Sequence, residues 1–439
     1  MNKEPASSNK PTFNKNPSHP LFIYVHIPYC EKRCTYCDFT IFEKDKALPS
    51  SEYISLLKQE ISNKKKFFKE FRVETIYFGG GTPSLIPSEE LTQIIQEIKS
   101  CFFVSPTVEI TLEVNPGNLT KESFRQYQAY GVNRFSLGVQ TFNSWFLKES
   151  GRSHGVKDSL RDLTFFQENH LNFSVDLMFG LPHQTLSKLK KDLKTVSSFC
   201  PPHISLYNLT VPKNHTLSNN RATETTQAEM FQLIKQILKK KGLKKYELSN
   251  FAREGFHSRH NSAYWNGSSF LGLGVSAHSY LSPLYTFPGF SKNRPYGLRF
   301  WNSRSLSIYK EQALAPCSQS PIDNLPLKQT ESLKLHEALT DFCHTRLRTT
   351  KGLSEKELTR FFPEKVSELV LQNLSLLTKN QWLKQKYPWF SLTEKGEVLS
   401  NQVFLNLTFL EKNLSQLIQK SPLSERLPDK FKDAIVCDQ

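Results

Sequence analysis

Several features that would mark a special class of protein are missing from this 439-residue sequence. No stretch approaches the roughly 18 consecutive apolar residues that a membrane-spanning helix needs, so no membrane span is expected. Residues 1–20 lack the apolar segment of a secretory signal and are rich in Asn, Lys, Ser and Pro, which predicts a disordered tail. Because no zinc-finger, RNP-like or Arg-rich segment is present, nucleic acid is not an expected partner.

Cysteine is scarce, and five of the eight cysteines stand alone at Cys101, Cys200, Cys317, Cys343 and Cys437. Scattered single cysteines in a long chain do not form a disulfide framework. Their distribution is typical of proteins in a reducing compartment, which predicts a cytoplasmic location.

Acidic residues are outnumbered, because 57 Lys and Arg against 41 Asp and Glu give a formal charge of +16. The Lys residues are spread along the chain, so a solvated basic surface is the simplest interpretation. Attraction of an anionic ligand is an alternative. A hydrophobic content of 38%, with 33 Phe, predicts a substantial core, and the length predicts more than one domain.

Short β-rich runs alternate with helical patterns between about residues 21 and 250. Regular alternation predicts a parallel sheet with helices outside, curled into a partial or full TIM-like barrel. Polar and glycine motifs follow the strand ends, and in such barrels that face carries the active site. The predicted strands are 21–27, 74–78, 108–114, 134–140, 173–179 and 203–209.

The character of the sequence changes after about residue 290. Residues 291–328 are predicted to be a linker. Residues 329–420 carry helical patterns with one short strand near 389–393, which predicts a smaller, mainly helical C-terminal domain of winged-helix type. Residues 421–439 are predicted to be a loose tail. The fold class is therefore α/β, with a barrel and an extension over 21–290 before the helical domain.

The remaining cysteines, Cys30, Cys34 and Cys37, follow the first predicted strand with the spacing C-x3-C-x2-C. Thiolates are soft donors that suit iron–sulfur clusters and zinc. A four-iron cluster held by three thiolates keeps one iron open to a second molecule, as a catalytic zinc site keeps an open position. A structural zinc site is the alternative. It would need a fourth ligand such as His26, which lies within a strand pattern.

The segment YVHIPYCEKRCTYCDF resembles the opening signature of the radical-SAM superfamily and, within it, of the coproporphyrinogen-oxidase-like group. The resemblance implies a [4Fe–4S] cluster on the three cysteines, with S-adenosylmethionine bound to the open iron. In that family an electron from the cluster cleaves S-adenosylmethionine to a 5′-deoxyadenosyl radical and methionine. The cofactor carries the difficult chemistry, while the protein positions it and excludes water.

Further motifs appear in the order that the family has. Gly79-Gly80-Gly81-Thr82-Pro83 follows the second predicted strand, and glycines let the backbone approach a ligand closely, although a tight turn is an alternative. Taken singly, each polar residue could instead belong to the core or the surface. The resemblance implies that S-adenosylmethionine contacts Tyr24, Tyr36, Gly80, Gly81, Thr82, Glu113, Gln140, Arg152 and Asp176.

Two features distinguish branches of this group. Phe39 stands where oxygen-independent coproporphyrinogen oxidases carry a further cysteine, and its presence is usual in heme chaperones of the HemW type. The hexapeptide from His260 to Trp265 resembles a segment associated with heme binding in those chaperones. Imidazole ligates iron well, and flat rings pack against a macrocycle, although a structural loop is the alternative. The implied heme contacts are His260, Asn261, Tyr264, Trp265 and His278.

The resemblance, which covers roughly residues 21–410, therefore implies a heme chaperone that delivers heme to a membrane respiratory apoprotein. One alternative is an anaerobic coproporphyrinogen III oxidase of porphyrin biosynthesis, and another is a radical-SAM enzyme with an unrelated substrate. The sequence departs from many relatives at Pro212, where Pro-Lys-Asn-His replaces a segment that carries Glu. This departure leaves the substrate-side pocket undefined.

Overall fold

The computed structural model describes residues 17, 19–212, 214–283, 296–315, 329–412 and 414, and strands alternate with helices through its first half. The elements of this half are β1 His19–Ile27, β2 Tyr29–Cys30, β3 Phe42–Glu43, α1 Ser50–Lys64, β4 Phe71–Gly80, α2 Ser88–Cys101, β5 Phe103–Val114, α3 Lys121–Ala129, β6 Arg134–Gln140, α4 Ser144–Glu149, α5 Val156–Glu168, β7 Phe173–Phe179, α6 Leu186–Ser198, β8 His203–Asn208 and α7 Glu224–Lys240.

Shorter elements dominate the second half, and helices become more frequent toward its end. They are β9 Lys244–Lys245, β10 Asn250–Ala252, α8 Arg259–Trp265, β11 Phe270–Leu273, β12 His278–Leu281, β13 Leu298–Trp301, α9 Leu306–Leu314, β14 Thr330–Ser332, α10 Leu335–Arg348, β15 Leu353–Ser354, α11 Glu355–Phe361, α12 Glu364–Lys379, β16 Leu383–Lys386, β17 Trp389–Leu392, α13 Glu394–Val398 and α14 Ser400–Asn406.

Twelve strands form one sheet in the order β14-β13-β12-β11-β1-β4-β5-β6-β7-β8-β10-β9. The six central strands β1 and β4 to β8 are parallel, and helices connect each to the next. Antiparallel pairs extend both ends of the sheet. The strand order has two ends among the described residues, so the barrel is partial. The predicted α/β class with a parallel barrel is confirmed.

Side chains alternate between the two faces of the barrel strands. In β1, Leu21, Ile23 and Val25 are fully buried in the main apolar core, which includes residues of the outer helices. Tyr24 lies on the other face, where it is in register with Tyr77 of β4, and the two rings stack with centroids 6.2 Å apart. Apolar residues therefore join the sheet to its helices, while aromatic and polar residues fill the barrel interior.

A buried carboxylate on α1 joins this helix to the far end of the chain. Glu60 accepts hydrogen bonds from the Gly274 backbone N–H, the Asn302 amide and the Tyr309 hydroxyl, at 2.7 to 2.8 Å. It also pairs with Lys64 one turn along the helix, and both side chains are buried. Glu60 therefore stabilises the packing of α1 against α9 and the loops after β11 and β13.

Replacing Glu60 with alanine is expected to lower the free energy of unfolding by about 3–5 kcal/mol, because Lys64 would remain buried without its partner. The matched control is Glu52→Ala, which removes the exposed pair between α1 and Lys310 of α9 and should cost at most about 1 kcal/mol. Urea unfolding of both variants measures the difference. Equal losses would contradict a special contribution from the buried network.

The structure differs from the predicted linker over 291–328, because residues 298–314 form β13 and α9. Phe300, Tyr309 and Ala313 are almost completely buried and belong to the main core. The turn-forming residues around them concealed a short strand that pairs with its neighbours in the chain, β12 and β14. The predicted tail over 1–20 is too long at its end, because β1 begins at His19. Residues 1–16 of that tail, residues 291–295 and 316–328 of the predicted linker, and the predicted tail over 421–439 lie outside the described residues.

The C-terminal elements form a second apolar core, which includes the fully buried Leu339, Leu353, Val370 and Leu374. Helices α10 to α14 pack with a small sheet of order β15-β17-β16. The predicted strand near 389–393 is confirmed by β17, whereas β15 and β16 escaped prediction. Within the part of the chain that the structure describes, no helix combines the length and the apolar character needed to cross a bilayer.

Candidate functional site

The three clustered cysteines line one cavity of about 430 Å³ at the carboxyl end of the parallel strands. Cys30 ends β2, and the loop that follows is fixed by backbone bonds from Thr35 to Ser150 and from Cys37 to Cys34. The Arg33 guanidinium donates to the Cys37 carbonyl oxygen at 2.9 Å, which closes the loop on itself. The sequence spacing therefore folds into one concave edge with three half-buried thiols.

The chemistry of this edge fits an iron–sulfur cluster. Burial raises the pKa of the Cys30 thiol to about 11, so cluster assembly there must displace a proton. One terminal guanidinium nitrogen of Arg152 lies 3.9 Å from the Cys34 sulfur, and the other donates to the Gly138 carbonyl oxygen at 2.7 Å. This fixed positive charge beside soft sulfur donors suits a negatively charged thiolate cluster.

The glycine motif forms the neighbouring wall of the cavity, where β4 ends beside the cysteine loop. Gly81 donates its backbone N–H to the Ile27 carbonyl oxygen at 2.8 Å. A Cβ atom at Gly81 would lie 2.5 Å from the Tyr29 carbonyl oxygen, so no side chain fits there. The Thr82 hydroxyl lies 3.6 Å from the Cys30 sulfur. The absence of a side chain at Gly81 is therefore what lets the backbone of β4 lie close to the backbone before the cysteine loop.

Glu113, at the end of β5, provides a carboxylate at the base of the cavity. It accepts hydrogen bonds from the Tyr77 hydroxyl at 2.8 Å and from the Gly80 backbone N–H at 3.2 Å. Burial raises its pKa to about 7, and the charge of Asp176 acts in the same direction, although the bonds from Tyr77 and Gly80 oppose the shift. Glu113 can therefore change protonation state near neutral pH.

Three further predicted contacts line the same cavity. Gln140 ends β6 with a φ of 66°, a left-handed backbone conformation that is strained for a side chain of this size. Asp176 of β7 accepts a hydrogen bond from the Ser136 hydroxyl at 3.0 Å, and burial raises its pKa. Tyr36 stacks on Phe146, and its buried hydroxyl has no hydrogen-bond partner within the described residues.

Tyr24 is placed differently from the other predicted contacts, because it is not among the residues that line the cavity. Its hydroxyl donates to Nδ1 of His26 at 3.1 Å, while Nε2 of His26 donates to the Thr40 carbonyl oxygen at 2.8 Å. Burial lowers the pKa of His26 to about 4, so its ring is neutral. Tyr24 therefore supports the cysteine loop through His26.

Sequence reasoning missed several residues of the cavity. Asn115 lines it, accepts a hydrogen bond from Arg152 at 2.7 Å and donates to Thr82 at 3.1 Å. Its position directly after β5, in Glu-Val-Asn-Pro, was an available signal. Tyr207, near the end of β8, also lines the cavity, as does Met178, which is in register with it on β7. The segment from His203 to Tyr207 resembles the family, and that resemblance was an available signal for Tyr207.

The predicted heme contacts divide into two groups. His260 of α8 is 1% exposed, its Nδ1 lies 2.6 Å from the Thr75 hydroxyl, and its Nε2 lies 2.9 Å from the Tyr264 hydroxyl. Its ring also stacks on Tyr77 inside the barrel. Both ring nitrogens are hydrogen-bonded, so His260 fills part of the barrel interior and has no free nitrogen for iron.

Tyr264, Trp265 and His278 instead line a second cavity of about 320 Å³, which is mainly apolar. Asn261 does not belong to its lining; its backbone N–H bonds to the Ser258 hydroxyl at the start of α8. The structure therefore gathers the predicted cluster and S-adenosylmethionine contacts, except Tyr24, in one cavity. Three of the five predicted heme contacts lie in another.

Comparison with known proteins gives matches that span both domains. A model of the radical SAM superfamily matches residues 24–196. A protein called heme chaperone HemW from Buchnera aphidicola subsp. Schizaphis graminum is 36% identical over 268 residues, covering 60% of this chain and 71% of its own length. A heme chaperone HemW from Bacillus subtilis is 30% identical over 390 residues, covering 87% and 97%.

A solved structure of coproporphyrinogen III oxidase, HemN, from Escherichia coli superposes with a TM-score of 0.71. The two chains are 21% identical, and the superposition covers 90% of this chain and 91% of the other. At this identity the likeness establishes the fold alone. The fold it establishes includes both the partial barrel and the helical C-terminal region.

Proposed function

We propose that this chain, which belongs to the radical SAM superfamily and within it to the HemW family, is a heme chaperone. It binds heme as cargo and carries a [4Fe–4S] cluster with S-adenosylmethionine. Phe39 is the observation that favours a chaperone over an oxidase. Its exposed ring lines the cavity of the three cysteines, hereafter the cluster cavity, at the position where the oxidase pattern would place a further thiol. A phenyl ring can neither ligate a metal nor donate a proton.

Cys30, Cys34 and Cys37 would hold the cluster, which supplies one-electron chemistry when bound. Arg152 would hold negative charge beside it, and the glycine wall would admit the ligand's polar end. Glu113 would accept a hydrogen bond from an ammonium or ribose hydroxyl group of S-adenosylmethionine. The remaining contacts proposed for this ligand are Tyr36, Gly80, Gly81, Thr82, Gln140 and Asp176, all of which line the cavity.

Heme delivery would end at a membrane respiratory apoprotein, and the chaperone would work in the cytoplasm. The relatives named heme chaperone HemW support the handling of heme. The +16 charge is compatible with a cargo that carries two propionates, because a positive field raises the encounter rate with anions.

The deciding experiment uses one anaerobically reconstituted sample of the full chain for two assays. Titration with hemin is expected to shift the Soret band and to leave heme on the protein after desalting. Incubation with coproporphyrinogen, S-adenosylmethionine and a reductant is expected to leave the substrate unchanged. Absence of heme retention would overturn the chaperone proposal, and decarboxylation of coproporphyrinogen would establish the oxidase in its place.

The affinity for S-adenosylmethionine is expected to rise about 10-fold between about pH 6 and pH 8, because Glu113 accepts hydrogen bonds best as a carboxylate and its pKa is about 7. The dissociation constant is measured at each pH by equilibrium dialysis of the cluster-loaded protein. The control, Glu113→Gln, cannot ionise and should bind weakly at every pH. If the affinity of the variant still rose with pH, a group other than Glu113 would cause the pH dependence.

A further inference from the structure

The second cavity is a cleft between the antiparallel edge of the barrel sheet and the C-terminal domain. On one side it is lined by residues of β11, β12 and β13, and on the other by residues of α10 and α11. Its walls are rich in aromatic rings, including Trp265, Phe270, Tyr280, Phe342 and Phe361. Such a lining suits a flat, largely apolar ligand that packs against rings.

His278 is placed to contribute a metal ligand to this cleft. It begins β12, its side chain is exposed, and neither ring nitrogen forms a hydrogen bond with a described residue. The register pairs it with Trp301 on β13, and the two rings stack at 5.5 Å with planes 19° apart. The stacking restricts the imidazole orientation while leaving its nitrogens available, as a ligand for iron requires.

His260 differs from His278 in its exposure and in its hydrogen bonds. It is buried, and ligating a metal would break its bond to Thr75 or to Tyr264 and open the barrel interior. An unpaired buried hydroxyl would then remain, which costs about 1–3 kcal/mol. Tyr264 itself lines the cleft, so its bond to His260 fixes a wall of the cleft.

The two arginines that line the cleft are paired with carboxylates. Arg299 pairs with Glu331 and Asp341, and Arg346 pairs with Glu357. The indole N–H of Trp265 is buried, so Trp265 faces the cleft with the apolar part of its ring.

We propose that this cleft is the heme site, with His278 as a ligand of the iron and with the aromatic side chains of the lining packed against the macrocycle. This inference rests on the proposed function. A cavity of about 320 Å³ lies at the small end of ligand pockets, so part of the macrocycle would stay exposed. An exposed edge of the heme suits a chaperone, because an acceptor protein must contact the heme before the chaperone releases it.

The test compares variants of the full chain with two probes, hemin and metal-free protoporphyrin IX. His278→Ala is expected to lose the Soret shift and to bind hemin at least about 10-fold more weakly, while its affinity for the metal-free probe stays unchanged. Ala338→Trp, which fills the cleft from α10, should weaken the binding of both probes. The matched control is His170→Asn, because His170 is exposed, lies outside the cleft and has a φ of 50° that Asn tolerates.

The outcomes distinguish a failure of the proposed heme site from a failure of the proposed function. If the natural chain itself retains no hemin, the chaperone proposal fails. If the natural chain retains hemin and His278→Ala keeps the same Soret band and affinity, the iron ligand is wrongly assigned. If Ala338→Trp binds both probes normally while its thermal midpoint matches the natural chain, the heme lies elsewhere.

Discussion

A chain in which Cys30, Cys34 and Cys37 are all replaced by serine is expected to retain almost no iron or sulfide after anaerobic reconstitution, whereas the natural chain retains about four of each. Serine is isosteric with cysteine, so the loop between β2 and β3 should keep its backbone bonds. The hydroxyl is a hard and weakly acidic donor, and it does not replace a thiolate on iron. Iron and acid-labile sulfide analysis measures the loss.

The matched control replaces Cys101, Cys200 and Cys343, none of which lines the cluster cavity. This second triple variant should keep the full iron content. Some loss of stability is expected, because Cys343 is fully buried, and it does not affect the comparison of iron content. Full iron and sulfide in the first variant would contradict cluster binding by the three thiols. Equal loss in both variants would instead point to damage to the fold.

The cluster cavity was predictable because its evidence is local in sequence. The spacing of Cys30, Cys34 and Cys37 is read directly, and the buried runs of β4, β5 and β6 end at or next to Gly80, Glu113 and Gln140. Parallel strands bring their carboxyl ends to one edge, so residues far apart in the chain meet there without further assumptions. Topology alone thus assembled most of the site.

The second constellation was predicted less well because motifs do not state which way a side chain points. The hexapeptide beginning at His260 was interpreted as a set of heme contacts, yet α8 turns His260 inward and Tyr264 and Trp265 toward the cleft. His260 and Tyr264 are four residues apart and lie on one face of this short helix, where their side chains bond to each other. The sequence pattern therefore could not show that only Tyr264 reaches the cleft. The cleft also needs β13, which lay in the predicted linker.

Tyr24 illustrates the same limit on a strand. Its side chain lies on the inner face of β1, as the alternation requires, but the ring of His26 and the end of β4 separate it from the cavity. Asn115 shows the opposite case, since its amide joins Arg152 to Thr82 only after three elements have packed together. The sequence therefore indicated the position of Asn115 at a strand end, but its two partners depend on tertiary structure.

Gly80→Ala is expected to weaken S-adenosylmethionine binding by about 10- to 100-fold, because overpacking at a site that cannot relax costs about 1–3 kcal/mol. The added Cβ would lie 2.4 Å from Cε1 and Nδ1 of His26. His26 cannot move freely, since it bonds to Tyr24 and to the Thr40 carbonyl oxygen in the loop beyond the cysteines. Displacing it would shift that loop and the Gly80 N–H that donates to Glu113.

Backbone strain must be separated from this collision, because Gly80 has a φ of 108° that alanine rarely adopts. Gly255→Ala provides the comparison, since Gly255 has a φ of 83° and no atom lies within 4 Å of the Cβ it would gain. Both variants therefore carry left-handed strain of roughly 1–2 kcal/mol, and only Gly80→Ala carries the steric conflict. Dissociation constants from equilibrium dialysis that agreed within about twofold would show that close backbone approach at Gly80 is not required, whereas a large gap would assign the loss to the cavity wall at Gly80 and not to left-handed strain in general.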